Sequence, residues 1–86
     1  MVADKKKIER LLKTARGQID GILKMVEEDR YCIDVSNQLM ATQSILKKVN
    51  NEILSAHMMC CVNNAQGADR EQKIEEVLSI MKKMNQ

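Results

Sequence analysis

"CIDVSNQLMATQSILKKVNNEILSAHMMCCV", residues 32–62, decides the fold. Val35, Leu39, Thr42, Ile45, Leu46, Val49, Ile53, Leu54 and Met58 recur through it at three- and four-residue steps, the period of a helix with one apolar side. Nothing inside the stretch breaks a helix, so the spacing predicts a single rod of about 45 Å. A chain of 86 residues has too little left over to cover such a rod. The segment therefore needs a partner, either a copy of itself or another protein.

Upstream, residues 5–28 carry Ile8, Leu11, Leu12, Ala15, Ile19, Ile22, Leu23 and Val26 at the same steps, which predicts a medium-length amphipathic helix. Gly17 and Gly21 lie four apart on one of its faces. Each costs about 1 kcal/mol relative to alanine in a helix, which points either to close approach of another helix or to tolerated glycines. "DRY" at 29–31 interrupts the period. Downstream, "NNAQGAD" at 63–69 reads as a loop punctuated by Gly67. Asp69, with Gln72 three residues later, has the form of a capping box opening a third, short helix. Ile74, Val77, Leu78 and Met81 give that helix its apolar face. The fold class is all-α: three helices, medium, long and short, in a single domain spanning residues 1–86.

Composition sets the limits. Hydrophobic residues at 44% and charged residues at 30% describe a soluble globular chain. Phe and Trp are absent and Tyr31 is the only aromatic residue, so the core is aliphatic, methionine-rich and thin. Oligomerisation is the usual remedy at this size. The first residues hold no apolar signal segment, and no run approaches a membrane span. Three cysteines suit no closed disulfide framework, which favours a reducing, cytoplasmic location. The net charge of +2 is mild, but Lys5, Lys6, Lys7, Arg10, Lys13, Arg16 and Lys24 crowd the first quarter.

The end of the long segment, "HMMCC", holds the only histidine and two of the three cysteines. His57 and Cys61 are four apart and share a helix face, within reach of one metal ion. Cys60 lies off to one side. Cys32 precedes His57 by 25 positions, about 37 Å along a helix, and cannot complete a site in its own chain. In an antiparallel pair of long helices, Cys32 of one protomer falls beside His57 and Cys61 of the other. Two thiolates and one imidazole form a soft set that suits Cu(I), whereas Zn(II) wants a fourth ligand and Ni(II) or Co(II) more nitrogen donors. The bland reading stands beside it: cysteine is also a small buried hydrophobe. Met58 and Met59 read as packing. No catalytic grouping is visible, and an enzyme is not expected.

Taken together, "LLKTARGQIDGILKMVEEDRYCIDV", "NQLMATQSILKKVN" and the "H-M-M-C-C" that follows make the chain resemble the copper-sensing operon repressor (CsoR) family from about residue 7 to 84. The resemblance implies a disc-shaped tetramer, a dimer of dimers built on an antiparallel four-helix bundle. It also implies operator DNA binding by the apo protein through basic surface residues, weakened when ligand occupies the intersubunit site. The cysteine, histidine, cysteine pattern is that of the family's Cu(I) sensors, with Cys32, His57 and Cys61 as ligands. Tyr31 and Glu76 match positions that contact the ligands from outside and transmit binding. The DNA-contact candidates are Arg10, Lys13, Arg16, Gln18, Lys47 and Lys48, a phosphate-touching face more than a base-reading one.

Two departures from the family pattern stand out. Leu11 occupies a position where many relatives carry an arginine. Cys60 is outside the three-ligand set: a core residue by preference, otherwise an alternative copper ligand or a thiol that pairs with Cys32 on oxidation. The expected function is a Cu(I)-responsive repressor released from its operator by copper. The rivals are a thiol or persulfide sensor on the same scaffold and a copper-buffering protein without a DNA role.

Overall fold

A computed structural model describes residues 1–62, 64 and 66–85, the side chains of Cys61 and Val62 excepted. Its order is α1 (Lys5–Glu27), α2 (Cys32–His57), a π turn (Met58–Val62) and α3 (Gly67–Met84), with no strand among the described residues. The helices are 23, 26 and 18 residues long, which matches the medium, long and short expectation. Among the described residues no helix is long and apolar enough to cross a membrane.

Both ends of α1 are set by local chemistry. Asp4 is the N-cap: its carboxylate accepts from the backbone N–H of Lys6 at 3.1 Å and Lys7 at 3.3 Å, satisfying donors that an open helix end leaves orphaned. The far end closes as a Schellman motif. Arg30 N–H donates to the Met25 carbonyl at 3.0 Å and Asp29 N–H to that of Val26 at 3.1 Å, with Asp29 left-handed at φ 52°. Glycine is the residue this position favours, because a Cβ crowds the backbone there and a carboxylate opposes the helix C-terminal dipole. Asp29→Gly is therefore expected to stabilise the protein by about 0.5 kcal/mol, and Asp29→Val to destabilise it by about 1–2 kcal/mol. Urea unfolding midpoints check both.

The chain forms two compact units. The first, Asp4–Val49, is the hairpin of α1 and the leading part of α2. A polar contact joins its two helices: the Thr42 hydroxyl, buried, donates to the Gln18 side-chain carbonyl at 2.8 Å. The two residues lie symmetrically about the turn at Arg30, as an antiparallel hairpin requires. Ile8, Ala15 and Ile22 are the buried residues of α1, and Thr42 and Val49 those of this part of α2. Each set steps by seven, the repeat that keeps a seam facing its partner helix.

The single apolar stripe read from the sequence is therefore two stripes on α1. Leu12, Ile19 and Val26 form a second seven-residue series, and all three are exposed, as is Leu23. On α2 the pairs Ile33 with Met40 and Leu39 with Leu46 are likewise exposed and seven apart. One hairpin seam is covered by the chain and the other is bare. Gly17 and Gly21 also face open space, with nothing within 4 Å of a built Cβ, so neither marks a close helix approach within the chain.

The second unit holds Met1–Ala3 and Asn50–Gln86. Leu54 and Val77 are its buried apolar residues, and the π turn packs on α3. The expected capping box does not form. α3 begins three residues earlier, at Gly67 with φ 61°, and its N-cap is Gln66 without a side-chain hydrogen bond. Asp69 instead lies in the first turn, where a carboxylate complements the helix dipole.

Candidate metal-sensing site and basic face

Cys32 is the first residue of α2 and His57 the last. Residues at opposite ends of so long a helix cannot share an ion, and the described residues contain no cluster of three His, Cys, Asp or Glu side chains that could. The Cys32 thiol is free and exposed, and the His57 imidazole is half-buried. Cys61, the third expected ligand, has its side chain outside the described residues. Its backbone lies in the π turn, where bonding to the fifth residue replaces bonding to the fourth. The i, i+4 pairing of His57 with Cys61 thus starts in an α-helix and ends in a wider turn. The sequence carries no plain signal for that change, since "MMCCV" is as helical by propensity as what precedes it.

Two readings need correction. Cys60 is exposed and free, so it is no part of this chain's core. Met59 is 72% exposed and does not pack inside the chain. Met58 and Met59 instead line a hollow with Asn51, Leu54, Ser55, Val77 and Met81.

Tyr31 precedes α2, and its carbonyl accepts the Val35 N–H at 3.2 Å, making the first bond of the helix. Its ring is 67% exposed. Glu76 is exposed on α3 beside the buried Val77. Both side chains stand open for contacts outside their own helices.

The basic residues lie on α1 and α2. Arg10, Lys13, Arg16, Lys47 and Lys48 are exposed. Arg10 and Lys13 border a shallow depression together with Lys6, Glu9 and Thr14. Lys6, Arg10 and Lys13 step by four and three, so they form one stripe; the spacing alone carries Lys6 into it, although the family resemblance does not single that residue out. Gln18 differs from the rest. It is half-buried, and its carbonyl oxygen accepts from Thr42, so it anchors the hairpin in addition to any contact it makes with a partner.

Three helices among the described residues, soft donor side chains at both ends of the longest, and a basic stripe on the first define the class: a small all-α protein with thiol and imidazole groups far apart on one helix and a cationic helix face. The profile of the metal-sensitive transcriptional repressor family matches residues 4–83, and the chain belongs to that family. Among its relatives, the copper-sensing transcriptional repressor CsoR of Bacillus subtilis strain 168 is 42% identical over 81 residues, covering 93% of this chain and 80% of the relative. The CsoR of Mycobacterium ulcerans strain Agy99 is 44% identical over 72 residues, 83% of this chain and 62% of that one. A solved structure, the copper-sensing repressor CsoR with Cu(I) from Geobacillus thermodenitrificans NG80-2, aligns at a TM-score of 0.80 with 34% identity, over 100% of this chain and 94% of its own.

Proposed function

We propose that this chain is a Cu(I)-responsive repressor of the cytoplasm, a homotetramer that holds operator DNA when metal-free and lets it go when copper binds. The copper ligands are Cys32 of one protomer with His57 and Cys61 of a second. The observation that carries this reading is the position of the donors at the two ends of α2, in a chain similar throughout to a Cu(I)-bound copper sensor. The donor chemistry fits: thiolates and one imidazole are soft enough for Cu(I) and too few for a nitrogen-rich Ni(II) or Co(II) sphere. When bound, copper supplies a bridge between protomers. The bare apolar series on α1 and α2 supplies the surface through which protomers meet.

The residues of the chain perform the rest. Cys32 and His57 join the start of one long helix to the end of another, so occupancy favours one relative placement of the two protomers. Tyr31, next to Cys32, and Glu76, on α3, pass that placement outward. Arg10, Lys13, Arg16, Lys47 and Lys48 hold phosphates, with Lys6 in the same stripe. Metal and DNA then oppose each other by linkage, each weakening the other by the same factor. No catalytic step belongs to this reading.

Operator binding followed by fluorescence anisotropy, with and without Cu(I), tests it. Affinity is expected to fall on adding copper; unchanged affinity at saturating copper overturns the sensing role. In the metal-free protein, Lys13→Ala is expected to lower the slope of log affinity against log salt by about 1 for each phosphate that Lys13 neutralises. An unchanged slope removes Lys13 from the DNA face.

A further inference from the structure

Met58, Met59 and Met81 belong neither to the hairpin core nor to the sensing site. They line one hollow, the first two from the π turn and the third from α3, over the buried side chains of Leu54 and Val77. Methionine in a protein wall is ordinarily a flexible gap filler, and a gap filler is buried. Here Met59 is 72% and Met81 42% exposed, so two of the three residues are not buried as gap fillers are. Three of the seven methionines of the chain thus converge on one concave surface, which begins one residue after His57.

A thioether sulfur is a neutral, soft donor. It suits Cu(I) and has little to offer Zn(II) or Mg(II). We propose that this hollow is a second Cu(I) site, formed by the sulfur atoms of Met58, Met59 and Met81. Lacking a thiolate, it holds the ion more weakly than the Cys32, His57 and Cys61 set, so the ion can leave again. Its place beside His57 makes it the position where Cu(I) is received before transfer to the sensing ligands. The transfer is a ligand exchange in which copper remains Cu(I). Only this receiving role rests on the copper-sensing reading; the site itself stands on the three methionines that line the one hollow.

The test uses the full chain labelled with [ε-13C]methionine, kept anaerobic, and carrying Cys60→Ala to remove the competing exposed thiol. Cu(I) alone is titrated while the methionine methyl resonances are followed. Past the first equivalent per chain, the methyls of Met58, Met59 and Met81 are expected to shift together while those of Met25 and Met40 stay still, and Zn(II) is expected to move none of them. Replacing all three methionines by leucine is expected to abolish the second equivalent and to leave copper-driven operator release intact. If the triple variant does not fold, Met59→Leu, at an exposed position, is expected to weaken the second equivalent alone. Methyl resonances that stay still past the first equivalent, or a second equivalent that survives the leucine variants, overturn the proposal. A first equivalent that binds without releasing operator overturns the sensing reading instead, and leaves the methyl shifts to decide this one.

Discussion

Cys32→Ala is expected to give a protein that folds, assembles and binds operator as the parent does, and that no longer releases it with Cu(I). The thiol is exposed at the first position of α2, so removing it leaves no cavity and breaks no packing in the hairpin. What disappears, on the proposed intersubunit reading, is the donor that joins one protomer to the next. Coupling between two sites is typically about 1–3 kcal/mol, or about 5–150-fold in affinity, and the whole of that factor should vanish. Cys60→Ala should keep it. Parallel anisotropy titrations of the parent and both variants check this; copper-driven release that persists in Cys32→Ala would remove the residue from the site. A persulfide sensor would behave differently at His57, because it needs the two thiols and not the imidazole. His57→Ala is expected to abolish the copper response, an outcome that separates the two chemistries.

Ile19→Glu is expected to disassemble the protein. Ile19 is 45% exposed, at the centre of the bare series Leu12, Ile19 and Val26. Within the single hairpin a carboxylate there meets solvent and costs little. Between protomers it would be a buried unpaired charge, costing about 3–5 kcal/mol at each interface. Sedimentation velocity should show the tetramer of the parent and smaller species for Ile19→Glu, with helix content and thermal stability reduced. Ile19→Leu should sediment like the parent. Operator affinity should fall with assembly, since a dissociated protomer presents a single basic face. An Ile19→Glu variant that remains fully assembled would place the protomer contact on another surface.

The long helix was legible because residues 32–57 keep an unbroken period, although the α-helix ends at His57 and not at Val62, where the periodicity carries it. The separation of Cys32 from His57 was legible from spacing alone, since the rise of a helix puts residues 25 positions apart too far from each other to serve one ion. The rest was not, for three physical reasons. A seven-residue seam and its bare neighbour look like one broad stripe in sequence; only burial separates Ile8, Ala15 and Ile22 from Leu12, Ile19 and Val26. The capping box at Asp69 did not form because the helix is already under way from Gly67, which leaves Asp69 inside the first turn and not at the cap. The π turn changes hydrogen-bond partners without any plain signal in residue type, and Cys60, for which a core position is preferred over a ligand or redox role, and Met59, read as packing, both prove exposed. Gln18, grouped by resemblance with the phosphate contacts, has half its amide committed to Thr42.

The central claim, that copper is held between protomers and drives the protein off its operator, is tested most directly by mixing two inactive variants. Cys32→Ala retains His57 and Cys61, and His57→Ala retains Cys32. Each alone should bind operator and ignore Cu(I). Unfolded together and reassembled, they form mixed pairs in which one of the two sites regains all three ligands, and Cu(I) should again weaken operator binding, to part of the parental extent. A mixture as unresponsive as its two components, although mass spectrometry shows mixed assemblies, would contradict an intersubunit site.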